Sequence, residues 1–102
     1  MVKMINLTPH EIVLCGITLP SEGLARCQSF VEKIDEIDGI SGNRRWFGEV
    51  TGLPEPQEGT IFIVSAIVAQ AVAGKRDDVF VPDDPIRNEN NQIIGCRALA
   101  KI

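Results

Sequence analysis

The residues best able to do chemistry in this chain lie close together in its second half. Arg76, Asp77, Asp78, Asp83, Asp84 and Arg87 fall within one short polar stretch. A guanidinium can clamp a phosphate through two parallel hydrogen bonds, and an aspartate can accept from ribose hydroxyls or a base edge. The same residues can equally form a solvated loop of Arg–Asp pairs. If they sit in a surface loop, Arg76→Ala and Arg87→Ala are expected to leave folding nearly untouched. Ser65 follows the apolar run Ile61–Val64 and precedes an alanine-rich segment. It reads as the N-cap of a short helix, and a helix start offers unpaired N–H groups that suit an anion. Arg97, near the C-terminal end, is a third guanidinium for phosphate. Trp46, directly after Arg44 and Arg45, can stack on a base beside two cations. A core or oligomer contact serves a tryptophan equally well.

His10 is the only histidine, so imidazole acid–base chemistry of the usual kind falls there or nowhere. Its place after Pro9 puts it in a turn, where it either bonds nearby backbone or touches a ligand. Ser65 lies between Val64 and Ala66, which is not the Gly-x-Ser-x-Gly turn of a hydrolase. Asp77, Asp78, Asp83 and Asp84 do not have the alternating ligands, central glycine and closing glutamate of a calcium loop. The expected site is therefore ligand-binding, made of His10, Trp46, Ser65, Arg76, Asp77, Asp83, Arg87 and Arg97. No catalytic residue, metal or cofactor is expected.

These residues must be positioned by short β elements. Val2–Leu7 predicts a first strand and Glu11–Cys15 a second, with Thr8-Pro9-His10 turning between them as a hairpin. Leu19–Gly23 reads as a turn. Leu24–Ile37 is ambiguous: its charges could decorate a helix, but its alternation favours a strand or a bent hairpin; Asp38–Asn43 reads as a turn or loop and Arg44–Val50 as a strand. Gly52–Gly59 holds two prolines and two glycines and must be loop. Thr60–Val64 is β-branched and apolar throughout, hence a central strand. Residues 65–73 predict the one short helix, capped by Gly74. Val79–Val81 is a strand stopped by Pro82, Asn88–Asn91 a tight turn and Gln92–Ile102 a terminal strand. The sum is a mostly β, α+β single domain over residues 1–102.

With 102 residues, 44% of them hydrophobic, the chain can bury a small core. Aromatics are few, which favours a homo-oligomer over a monomer. The net charge of -4 and the scarcity of clustered Lys and Arg argue against duplex nucleic acid as partner. Cys15, Cys27 and Cys96 fit neither a disulfide framework nor a zinc site. They point to a reducing compartment. No signal peptide or membrane-length apolar run stands out, so a cytoplasmic location and no membrane partner are expected.

Taken as a set, Asn6-Leu7-Thr8-Pro9-His10, Gly52-Leu53-Pro54-Glu55-Pro56, Ile63-Val64-Ser65, Val68-Ala69, Arg76-Asp77-Asp78-Val79, Pro82-Asp83, Arg87 and Ile94-Gly95-Cys96-Arg97 resemble a family of small proteins. That family is encoded in tailed phages, prophages and some bacterial genomes. The resemblance covers nearly the whole chain except about Gln28 to Arg45. It implies a phage or prophage setting, and the host cytoplasm as location, but supplies no activity. Small accessory phage proteins often counter host defence by soaking up nucleotide immune signals. By that analogy of context, the expectation is a non-enzymatic, oligomeric counter-defence sponge. It would sequester an anionic small molecule of the cyclic-nucleotide or ADP-ribose type. Two alternatives stand beside it: a protein-interaction module that inhibits or regulates a host protein, and a small hydrolase using His10.

Overall fold

The run Thr60-Ile61-Phe62-Ile63 has no polar face to offer water, and the fold gives it none. In the computed structural model, which describes residues 2–102, this run is a strand between two parallel neighbours. The strands in chain order are β1 (Lys3–Asn6), β2 (Ile12–Leu14), β3 (Ile17–Leu19), β4 (Arg26–Ile37), β5 (Ile40–Thr51), β6 (Thr60–Ile63), β7 (Val79–Arg87) and β8 (Ile93–Ala100), with the helix α1 (Ala66–Ala71) between β6 and β7. The fold is mostly β with one short helix, as expected. Six strands form a mixed sheet in the order β1-β6-β7-β8-β2-β3, and β4 and β5 pair only with each other.

Phe62 and Val64 turn one way, onto Val68, Ala69 and Val72 of the helical segment, with Leu7, Ala25 and Val79 completing the core. Ile63 points the other way and is also fully buried. The sheet curls until its two end strands meet. Asn6 of β1 bridges to Ser21 just beyond β3, and the Glu22 amide donates to the Asn6 carbonyl at 2.8 Å. The Asn6 side chain, itself fully buried, makes the join. Its Nδ2 donates to the carbonyls of His10 (2.8 Å) and Leu19 (3.0 Å). Its Oδ1 accepts from the Thr8 amide (3.0 Å) and the Thr8 hydroxyl (2.6 Å).

This clamp overturns the expected β1–β2 hairpin. Asn6 engages the backbone of the Thr8–His10 turn, the chain leaves β1's side, and β1 pairs in parallel with β6 instead. β2 pairs with β3 and β8. Strand β3 lies partly where the sequence suggested only a turn. Its hairpin turn is Cys15-Gly16, with φ of 50° and 82°, the two positive angles of a type I′ turn. The Asp38–Asn43 loop contracts in the same way. Asp38 and Gly39 alone make the turn, at φ 50° and 81°, and β5 starts at Ile40. Pro82 does not stop β7, which runs on to Arg87. Beyond Phe80 the strand pairs with β8 alone, and its open side tolerates residues without an N–H. The helix ends at Ala71 rather than Ala73, and Gly74 (φ 78°) follows in the turn.

The long hairpin β4–β5 leaves the body as an arm. At its root Cys27 and Val50 face each other and pack on the core. Gly52 closes the root at φ 80°, where a Cβ would collide with the Leu24 carbonyl oxygen. Beyond the root almost every residue is exposed. The radius of gyration is 16.3 Å, against about 13 Å for a compact chain of this length, and the arm accounts for the excess.

Asn6→Ala should strip four bonds from a buried join and lower stability by about 3 kcal/mol or more. At ~4–8 °C per kcal/mol this is a fall of at least ~12 °C in thermal midpoint, read by calorimetry. An unchanged midpoint would show that the curl closes without the clamp.

Candidate functional site

Arg76 follows α1 and precedes β7, so the chain's return to the sheet carries it back beside β6. There its Nε and Nη2 meet Asp78 Oδ1 and Oδ2, both at 2.9 Å, in a two-pronged pair. Nη2 also donates to the Pro54 carbonyl at 2.9 Å, and the guanidinium carbon lies 5.9 Å from the centre of the Phe62 ring. Both partners are mostly buried, at 16% and 13% side-chain exposure. The hydrogen bond to Asp78 holds the Arg76 guanidinium above its ordinary pKa. The same bond holds the Asp78 carboxyl below the usual range, against the opposing effect of burial. Arg76 therefore ties the Gly52–Gly59 loop to Asp78, the residue just before β7. This corrects the reading of Arg76 as a free surface residue whose replacement leaves folding untouched.

The other expected ligand contacts scatter. His10 is exposed, and its backbone carbonyl is what the fold uses. Ser65 precedes α1 but makes no side-chain cap bond, and six residues sum to little macrodipole. Asp77 is exposed beside the Arg76–Asp78 pair. Asp83 lines a cavity of about 450 Å³ with Glu11, Pro85 and Cys96. Arg97 lines a different one of about 520 Å³, walled by Met4, Leu14, Ile17 and Leu99, and its Nη1 stands 3.6 Å from Asp84 Oδ1. Arg87 lies near the tip of the β7–β8 hairpin and donates to the Asn91 carbonyl at 3.0 Å. Trp46 is on the arm, stacked on Phe30 with ring centres 5.5 Å apart. The eight residues thus occupy the turn after β1, the arm, both ends of the helical crossover and different cavities, with no common focus.

Two surfaces do gather chemistry. One is a cleft of about 440 Å³ lined by Gly74, Lys75, Arg76, Asp77, Lys101 and Ile102. It adds to Arg76 and Asp77 two ammonium groups that the sequence reading did not single out as a site. Lys101 is far from Lys75 in the chain, and only the pairing of β7 with β8 brings them together. The other surface is the arm. Phe30 and Trp46 face each other across the strands, and Ile34 sits over Gly42 on the same side. Alternation puts Val31 and Phe47 on the opposite side. Ile37 and Ile40 flank the turn at 63% and 71% exposure.

Among the described residues, no three His, Cys, Asp or Glu side chains gather as a metal would require. No described helix is long and apolar enough to cross a membrane. Cys96 is buried and burial pushes its thiol pKa up, while Cys15 is exposed in the β2–β3 turn. No family model, curated protein or solved structure matches the chain.

The Asp78 shift has a defined pH signature. A carboxyl whose pKa is lowered on folding adds stability above its unfolded value, and that stability is lost as the pH falls through the folded value. Asp78→Asn should therefore cost about 2–4 kcal/mol at pH 7 in urea unfolding. The gap to wild type should close as the pH falls below about 4. A gap that stays constant with pH would remove the ion pair from the stability of the loop.

Proposed function

We propose that this protein is a non-enzymatic binding protein of phage type that works as a protein-interaction module, with the β4–β5 arm as its contact element. One observation carries the reading. An arm of paired twelve-residue strands holds aromatic and branched side chains exposed on both faces beyond its root. A two-stranded ribbon is marginal in water by itself, and large exposed apolar patches mark contact sites. The phage setting rests on the residue resemblance, which stops at about Gln28 to Arg45, the greater part of the arm.

A second reading has its own observation. Lys75 and Lys101 flank the cleft beside Asp77, and the Arg76 charge is matched by Asp78, so the two ammonium groups leave a small basic excess. That excess is the chemistry a site for an anionic nucleotide signal would use.

Excising residues 28–49 and rejoining the strands by a short Gly-Ser turn separates the two. The arm's root and the core remain, so the body should keep its thermal midpoint. On the interaction reading the excised protein sediments as a monomer and has lost every association of the wild type. Retention of those associations would overturn it. Sequestration would show as a nucleotide released unaltered by heat from the excised protein, with release abolished by Lys75→Ala and Lys101→Ala. An altered nucleotide would mean an enzyme.

A further inference from the structure

We infer that the arm's partner is a second copy of this chain, joined head to tail, with the free edge of β4 pairing antiparallel with the free edge of the neighbour's β5. This rests on the reading of the arm as a contact element and names what it contacts.

Both edges of the arm are open, because β4 and β5 hydrogen-bond only to each other. Each therefore presents a row of unpaired N–H and C=O groups, the standard template for adding a strand. The two edges carry opposite charge. The outer half of β4 bears Glu32, Asp35 and Glu36 against the single Lys33, and Asp38 follows in the turn. The outer half of β5 bears Arg44 and Arg45 and no acid before Glu49. Among the described residues these charges form no ion pair with one another, although Glu32 stands opposite Arg44. They remain free for a neighbour.

A copy placed alongside, pointing the same way, sets its own β5 against this β4 at the same height. Glu32 then lies between its own Arg44 and the neighbour's, and charge alternates across the joined ribbons. The Phe30–Trp46 row continues in the same manner. Opposed placement of two β5 strands would put arginines face to face, and of two β4 strands would put acids face to face. The charge pattern selects the head-to-tail arrangement. Repeated, a head-to-tail contact closes into a ring when the rotation from copy to copy closes and otherwise runs on as a filament; the inherent twist of paired strands supplies a rotation between neighbours.

Charge reversal tests this on the full chain. One variant carries Glu32→Arg and Glu36→Arg, the other Arg44→Glu and Arg45→Glu. By light scattering and sedimentation at micromolar concentration, wild type should be a single multimer. Each variant alone should be a monomer, because like charges now face each other across the joint. A one-to-one mixture should recover a multimer, since the two altered strands match each other and the two unaltered strands match as in the wild type. That recovery also shows that both variants are folded. Multimers that persist in both variants, or a mixture that stays monomeric, overturn the head-to-tail pairing. A monomeric wild type overturns self-pairing altogether. It leaves the broader interaction reading to its own test, the excised arm.

Discussion

Much of this structure follows from a two-stranded ribbon that cannot satisfy itself. A strand pair offers half its backbone bonds inward and leaves the other half at its edges. Between residues 28 and 49 no other strand among the described residues pairs with those edges. Aromatic and β-branched side chains there are held in water on both faces, Trp46 at 43% exposure. The arm's exposed apolar surface is not offset by contacts within the described chain, and this is the ground for proposing it as a contact element. The body is built to bear this load. Cys27 and Val50 seat the root in the core, and Gly52 allows β5 to leave the arm close against Leu24.

The body itself depends on one buried amide. Asn6 joins the first strand to the far end of the sheet and fixes the turn after itself, so that six short strands share a curled surface. Without that join, β1 and β3 would be two more open edges. Arg76 plays a similar part on the other side, fastening the proline-rich loop over Phe62 and the start of β7. Asn6 is engaged through both ends of its amide and Arg76 through Nε and Nη2, and no buried side-chain polar atom among the described residues lacks a partner.

The sequence was most legible where local chemistry decides structure. The β-branched run at Thr60 named the central strand, Ser65 and Gly74 bracketed the helix, and the Asn88–Asn91 turn formed as its composition suggested, with Asn88 Oδ1 accepting from Asn90 and Gln92. It was least legible where partners are distant. β1 and β2 look like a hairpin because they are adjacent, and only the Asn6 clamp and the parallel pairing with β6 exclude it. Pro82 reads as a stop only if β7 is assumed to have partners on both sides. The Asp38-Gly39 pair was a sufficient signal for the arm's tight turn and was underread as a longer loop. Of the expected site, Arg76 and Asp78 do meet, but to hold the Gly-Leu-Pro-Glu-Pro loop. The resemblance motifs at Pro54 and Arg76 touch each other, which gives their joint presence a structural basis. The basic cleft was invisible because Lys101 reaches Lys75 only through the sheet.

Hydrogen exchange along the arm tests the central claim most directly, because it reads the edge amides themselves. If the arm works paired, amides on both outer edges of β4 and β5 exchange slowly at micromolar concentration, approaching those of β6, and lose that protection on dilution. Edge amides that exchange as freely as those of the Asp38-Gly39 turn at every concentration would contradict it, and would mark the arm as an unpartnered ribbon in solution.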